Sequence, residues 1–213
     1  MNLRRLLRAI RREPLRRLSH LAWARNPRWR RVPPRVVFIG DSITQFWLDN
    51  DPLLFLRGLF DAGIAGETTA GMLARFDRDV IALRPRAVHI MGGTNDLWHG
   101  DPGEDAHLAI AHIEEMVARA KAAGIRVILA PPPPISDAAK AGFGHPHLHA
   151  PLCAAIEAIA RREALVHVDY ATSLCGADGA LVPAYTTDGV HLTRQGYRAM
   201  RRQVQAAIRT ALG

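Results

Sequence analysis

FIGDSITQFW, residues 38–47, joins an apolar run to an acid and a hydroxyl with a single glycine between them. The run Val36-Val37-Phe38-Ile39 is short, rich in β-branched residues and apolar on both faces, the pattern of a parallel strand covered on both sides. Gly40 allows a sharp turn, and Asp41 and Ser42 follow at the strand end. A serine in that place admits four readings: a turn residue, a helix N-cap, a phosphate ligand or a nucleophile. Distant parts of the chain have to decide among them.

Three more segments share the buried-strand pattern: Ala87–Met91, Arg126–Ala130 and Leu165–Val168, with a shorter strand over Leu59–Ile64. Helical periodicity fills the gaps. A helix is expected through Met72–Ile81. Ile113, Met116, Val117 and Ala120 form one apolar stripe, ended by Gly124 as a C-cap. Leu152, Ile156 and Ile159 form another, and Tyr197, Met200, Val204, Ile208 and Leu212 a closing helix with Thr193 as its N-cap. Alternating strands and helices predict a doubly wound α/β fold with a central parallel sheet, in which ligands bind beyond the carboxyl ends of the strands. Gly40-Asp41-Ser42, residues 63–69 (GIAGETT) and residues 92–96 (GGTND) lie just past strand ends and should converge on one sheet edge. Thr187-Asp188-Gly189-Val190-His191 can reach the same edge from the far end of the chain.

Those segments hold the parts of an acyl-transfer site. A serine hydroxyl is a weak nucleophile and needs a base in hydrogen-bond reach, and a histidine titrates near neutrality. Asp188 and His191 are three residues apart, so the carboxylate can meet Nδ1 and leave Nε2 free for Ser42. Donors for a developing oxyanion are offered by the backbone N–H of Ser42, the backbone N–H of Gly66 and the side-chain amide of Asn95. Asp41 is expected to cap the turn and Asp96 to bond neighbouring loop backbone. Phe46, Trp47, Trp98, His99 and Phe143 lie in or just past these loops and are candidate pocket linings, although aromatic residues there can equally belong to the core.

GDSIT at 40–44, GIAGETT at 63–69, GGTND at 92–96 and DGVH at 188–191 resemble, in order, the four motif blocks of the SGNH (GDSL-like) hydrolases. The resemblance takes in all but the N-terminal arm. It implies a flavodoxin-like three-layer α/β/α sandwich and metal-independent ester hydrolysis through an acyl-enzyme, with no cofactor. It also implies Ser42 as nucleophile, Gly66 and Asn95 in the oxyanion hole, Asp188 as orienter and His191 as general base. Two positions depart from the family pattern: Asp61 stands where Asn is frequent, and Leu192 where Pro often follows the histidine.

Charge divides the chain. The net +8 conceals a basic arm, residues 1–34, with eleven Arg and one acid, Glu13. Residues 35–213 carry 17 basic and 19 acidic side chains. In the arm, Leu3, Leu6, Leu7 and Ile10 follow helical spacing, with Arg4, Arg5, Arg8, Arg11 and Arg12 on or flanking the other face. Such an arm fits an anionic membrane surface through residues 1–31, with Trp23 and Trp29 as interfacial anchors; a solvated arm is the plainer alternative. No nucleic-acid partner is expected, because the body offers no basic run to extend the arm. Lacking an apolar stretch of about seven residues after its charges, the arm does not read as a secretory signal, and a cytoplasmic protein with peripheral membrane contact is expected.

Cys153 and Cys175 show no metal or redox spacing and read as free buried thiols. His145, His147 and His149 invite a metal reading, but no metal is expected because no further ligand completes a site. The expected partner is a small-molecule ester with small to medium acyl groups. Two other functions were weighed: a catalytically idle member acting as a membrane-associated interaction module, and a phosphate-binding protein using Gly40–Thr44 as an anion loop. The latter leaves Asn95 and His191 without work. Oligomeric state is not readable from the sequence.

Overall fold

A computed structural model describes residues 33–56, 58–99, 104–142 and 144–213, with backbone alone at 99, 104 and 105. The expected arm, with its membrane-contact residues, lies outside these residues apart from Pro33 and Pro34. The strands are β1 (Val36–Gly40), β2 (Leu59–Gly63), β3 (Ala87–Met91), β4 (Arg126–Ala130) and β5 (Val166–His167). Helices α1 (Ser42–Asn50), α2 (Pro52–Phe55), α3 (Thr69–Asp79), α4 (Thr94–His99), α5 (Glu104–Ala122), α6 (Asp137–Lys140), α7 (His149–Arg162), α8 (Ala171–Leu174) and α9 (Arg194–Leu212) alternate with them. All five strands are parallel, in the order β2-β1-β3-β4-β5, the flavodoxin-like arrangement.

Strand side chains alternate between two cores because successive Cβ atoms point to opposite faces. Val37, Ile39, Val88, Ile90, Val127 and Leu129 pack with apolar residues of α3, α5 and α7. Val36, Phe38, Ala87, Met91, Ile128 and Ala130 pack with Ile43, Trp47 and the buried face of α9. Helices cover both faces, so near-continuous apolar strands are what this sheet requires. No described helix is long and apolar enough to cross a membrane.

Helix ends follow local chemistry. Thr193 caps α9 by accepting the Gly196 N–H at 3.2 Å, a contact of the kind that contributes about 1 kcal/mol. Past α5, Gly124 adopts φ +71° and the Ile125 N–H returns to the Ala120 carbonyl at 2.9 Å. The same device shortens β5 relative to the expected Leu165–Val168: Ala164 takes φ +51° after α7, and the Leu165 N–H bonds the Ala160 carbonyl at 2.8 Å. Leu165 is thereby spent on ending a helix and does not enter the sheet.

What positions the site is the alignment of strand ends. Gly40 pairs with Gly63 on one side and Met91 on the other, so three strands stop in line. A Cβ at Gly40 would meet the Met91 carbonyl oxygen at 2.5 Å and overlap the Thr44 hydroxyl; at Gly63 it would overlap the Gln45 backbone nitrogen. Gly40→Ala is therefore expected to destabilise the fold by roughly 1–3 kcal/mol through overpacking, read as a lower urea midpoint with an unchanged denaturant slope.

Candidate active site

Ser42 is the first residue of α1, and Asp41 is its N-cap, accepting the Ile43 N–H at 2.9 Å. A helix start just after a strand end brings the serine to the sheet edge while its backbone stays buried; Ser42 is 8 % exposed. From the opposite end of the chain, His191 Nε2 lies 3.0 Å from Ser42 Oγ, and His191 Nδ1 lies 2.8 Å from Asp188 Oδ2. Asp188 Oδ1 also accepts the backbone N–H groups of His191 at 2.8 Å and Val190 at 3.1 Å. Partial burial pushes the Asp188 carboxyl up, but the hydrogen bonds from the His191 ring and from the His191 and Val190 backbone outweigh it and hold the group below its ordinary range. An ionised carboxylate only accepts, so Nδ1 carries the ring proton, Nε2 is a bare acceptor and the Ser42 hydroxyl donates to it.

The histidine loop is braced. Thr187 N–H donates to the His191 carbonyl at 2.9 Å, and Ser136 N–H to the Gly189 carbonyl at 2.9 Å. Gly189, at φ +88°, packs so closely that a Cβ would overlap the Ser136 hydroxyl. Leu192, at the departure from the family pattern, is buried in the core.

The second loop closes as a turn in which the Glu67 N–H donates to the Ile64 carbonyl at 3.2 Å. Gly66, third in that turn, has φ +79°, a left-handed value that glycine adopts without strain. Among the described residues no acceptor engages the Gly66 N–H. Asn95, in the first turn of α4, donates one amide hydrogen to the Glu67 carbonyl at 2.9 Å and keeps its second. Ser42, Gly66 and Asn95 thus lie two, three and four residues beyond the aligned ends Gly40, Gly63 and Met91. Asp61, the other departure, accepts the Gly63 N–H at 2.8 Å through one oxygen, as an Asn carbonyl would.

Both auxiliary acids behave as the sequence suggested. Asp41 caps α1. Asp96 accepts the Thr69 N–H, at 3.0 Å through Oδ2, and the Thr69 hydroxyl at 2.6 Å, and burial raises its carboxyl. Since the Thr69 proton is committed to Asp96, His112 Nδ1, 3.0 Å from that hydroxyl, is the donor there. Gln45, Thr69, Arg75 and His112 were not singled out by sequence reasoning. Gln45 Oε1 receives the Ala65 N–H and so ties α1 to the Gly66 loop. Nothing local marks these residues, because their partners lie in other motif blocks.

The candidate pocket linings separate. Phe46, one helical turn beyond Ser42, is half-buried with its ring centroid 5.5 Å from that of His191. Trp98 is half-buried against the core. Trp47 is a correction: it is 0 % exposed and packs edge-on against Phe38 and Tyr170, because it shares the sheet-facing side of α1 with Ile43, four residues earlier. Phe143 and the His99 side chain lie outside the described residues. His149 Nε2 bonds the Pro133 carbonyl at 3.1 Å, and among the described residues no three His, Cys, Asp or Glu side chains gather as metal ligands. Cys153 and Cys175 are free but only half-buried, and burial pushes the Cys153 thiol up to about 12.

Residues 38–199 match the model of the GDSL-like lipase/acylhydrolase family. A solved structure from Bacteroides fragilis is 34 % identical, covering 89 % of this chain and 97 % of its own, with a TM-score of 0.76. A GDSL-like lipase from Bacteroides thetaiotaomicron is 33 % identical, covering 92 % and 98 %, with a TM-score of 0.78. An acetylxylan esterase from Geobacillus stearothermophilus, 22 % identical over 81 % of this chain and 93 % of its own, shares the fold at a TM-score of 0.66. No curated protein matches the chain.

Burial, which outweighs the bond from the Ile43 N–H, raises the Asp41 carboxyl from 3.8 to about 6. The folded state therefore holds this proton more tightly than the unfolded chain, and the stability it confers is complete below pH 3.8 and lost as pH rises through about 6. Asp41→Asn keeps an N-cap acceptor of the same shape but does not titrate. Urea unfolding from pH 3.5 to 7 is expected to show the variant gaining on the wild type between about pH 4 and 6, with a constant difference above. A difference flat across that range would mean that the carboxyl is not raised.

Proposed function

From the premise that the chain belongs to the GDSL-like lipase/acylhydrolase family, we propose that it is a serine esterase cleaving small to medium carboxylic esters through an acyl-enzyme. The observation that carries the reading is the unbroken chain from Ser42 Oγ to His191 Nε2 at 3.0 Å and from His191 Nδ1 to Asp188 Oδ2 at 2.8 Å. Ser42 attacks the ester carbonyl while His191 takes its proton, and Asp188 holds the ring's tautomer and stabilises the imidazolium. The carbonyl oxygen becomes an anion received by the Ser42 N–H, the Gly66 N–H and the free hydrogen of the Asn95 amide. Collapse expels the alcohol, which leaves with the proton from His191. Water, deprotonated by the same ring, then releases the acid and restores Ser42.

Before reaction Asp188 is the one ionised group in this scheme; the negative charge that develops on the carbonyl oxygen meets the three donors, and the positive charge that develops on the His191 ring meets Asp188. Phe46 beside His191 gives the mouth an apolar wall against which an acyl or alcohol group can rest. The acetylxylan esterase of the same fold makes acetyl esters a natural first class to test.

Purified protein is expected to hydrolyse p-nitrophenyl acetate and butyrate and to be labelled covalently by a fluorophosphonate. Ser42→Ala should lose labelling altogether and turnover by at least about a thousandfold. Absence of hydrolysis across a panel of short-chain esters by the wild type would sink the proposal.

A further inference from the structure

A deeply buried guanidinium near the site is one that the reaction scheme does not use. Arg75, on α3, is 6 % exposed. Its Nε lies 2.8 Å from both carboxylate oxygens of Glu67, and Nη2 lies 2.5 Å from Glu67 Oε2. Nη1 donates to Asp79 Oδ2 at 3.0 Å, and Nη2 reaches the Gly40 carbonyl at 3.4 Å. A buried guanidinium with all three of its nitrogens bonded is costly to disturb and adds rigidity where its partners lie.

Those partners belong to the reacting loops. Gly40 is two residues before Ser42, and its carbonyl also accepts the Ile64 N–H at 3.0 Å, joining the two loops. Glu67 follows Gly66 directly, closes the Gly66 turn with its N–H, and offers its carbonyl to Asn95. Its side chain folds back over Gly71, where a Cβ would come within 2.7 Å of Glu67 Cγ, so the helix leaves room for the ion pair. One guanidinium thereby connects the strand end before the serine with the residue on which the Gly66 turn and the Asn95 amide both depend.

We propose that Arg75 is a positioning residue that sets the Gly66 N–H and the Asn95 amide relative to Ser42, acting through Glu67 and the Gly40 carbonyl. The proposal rests on the serine esterase reading and adds to it a determinant of oxyanion geometry that touches no substrate. Lysine keeps the charge but replaces a planar fork with a single point of donation, so it cannot hold Glu67, Asp79 and Gly40 together.

The test is a kinetic cycle on p-nitrophenyl acetate with Arg75→Lys, Asn95→Ala and the double variant, each checked for a cooperative urea transition. Arg75→Lys is expected to lower kcat roughly 10- to 100-fold with KM within about twofold, less than the roughly 100- to 1,000-fold of losing a donor outright. In the Asn95→Ala background the same change should cost clearly less than in the wild type, because one of the two donors that it positions is gone. Should Arg75→Lys fail to fold, Glu67→Gln, which keeps the size and discharges the relay, must show the same coupling to Asn95. Folded variants with wild-type kcat, or losses that multiply fully with Asn95→Ala, would overturn the proposal while Ser42-dependent turnover by the wild type leaves the esterase reading standing. A wild type without esterase activity would instead refute that reading, and the positioning role with it.

Discussion

Everything at the sheet edge depends on how tightly the backbone packs around Gly40. The parallel ladder sets Gly40 beside Gly63 and Met91, and the missing Cβ lets the Thr44 hydroxyl and the Met91 carbonyl close in on it. Sliding one strand against the next by a single residue would turn every one of its buried side chains to the opposite core. The three loops after these strands consequently start from fixed points. Short loops from fixed points carry their side chains with little conformational cost, so a hydroxyl, a turn N–H and an amide from three distant segments follow strand ends that stop in line.

Electrostatics then separates three carboxylates that the sequence presents alike. Asp41 and Asp96 are buried with few donors, and desolvation raises both. Asp188 is more open and receives the His191 ring and two backbone N–H groups, which outweigh its burial. The group that has to stay ionised is the one given charged and polar partners. The two that cap or brace loops tolerate a proton, because their structural bonds are accepted by oxygens that remain available in either state.

The legible part of this architecture was local. Strand patterns, the Gly124 and Thr193 helix ends and the four motif blocks are contiguous runs, and their placement at carboxyl ends of strands followed from the fold class. The illegible part was tertiary. Leu165 reads as a strand residue, yet its N–H is claimed by the end of α7. Trp47 reads as a pocket aromatic because it lies just past the serine loop, but a one-residue step from Phe46 on a helix turns a side chain by about 100°, from beside His191 into the core. Arg75 and His112 are marked by no spacing, because their significance comes from what other segments leave exposed around them.

The Ser42–His191 contact spans 149 residues, and the Tyr197 hydroxyl, bonding the Ile43 carbonyl at 2.8 Å, spans 154. Among the described residues these are two of the three most sequence-distant side-chain hydrogen bonds, and both lead into the neighbourhood of the closing helix. Contacts of that reach carry the largest loop-closure entropy and form late. During refolding, residues 36–96, which hold Ser42, Gly66 and Asn95, can therefore assemble before His191 arrives. Under the esterase reading, turnover becomes a clock for the final step of folding, silent until the last helix docks, and Trp47, with its ring centroid 5.8 Å from that of Tyr197 on α9, changes surroundings at the same step.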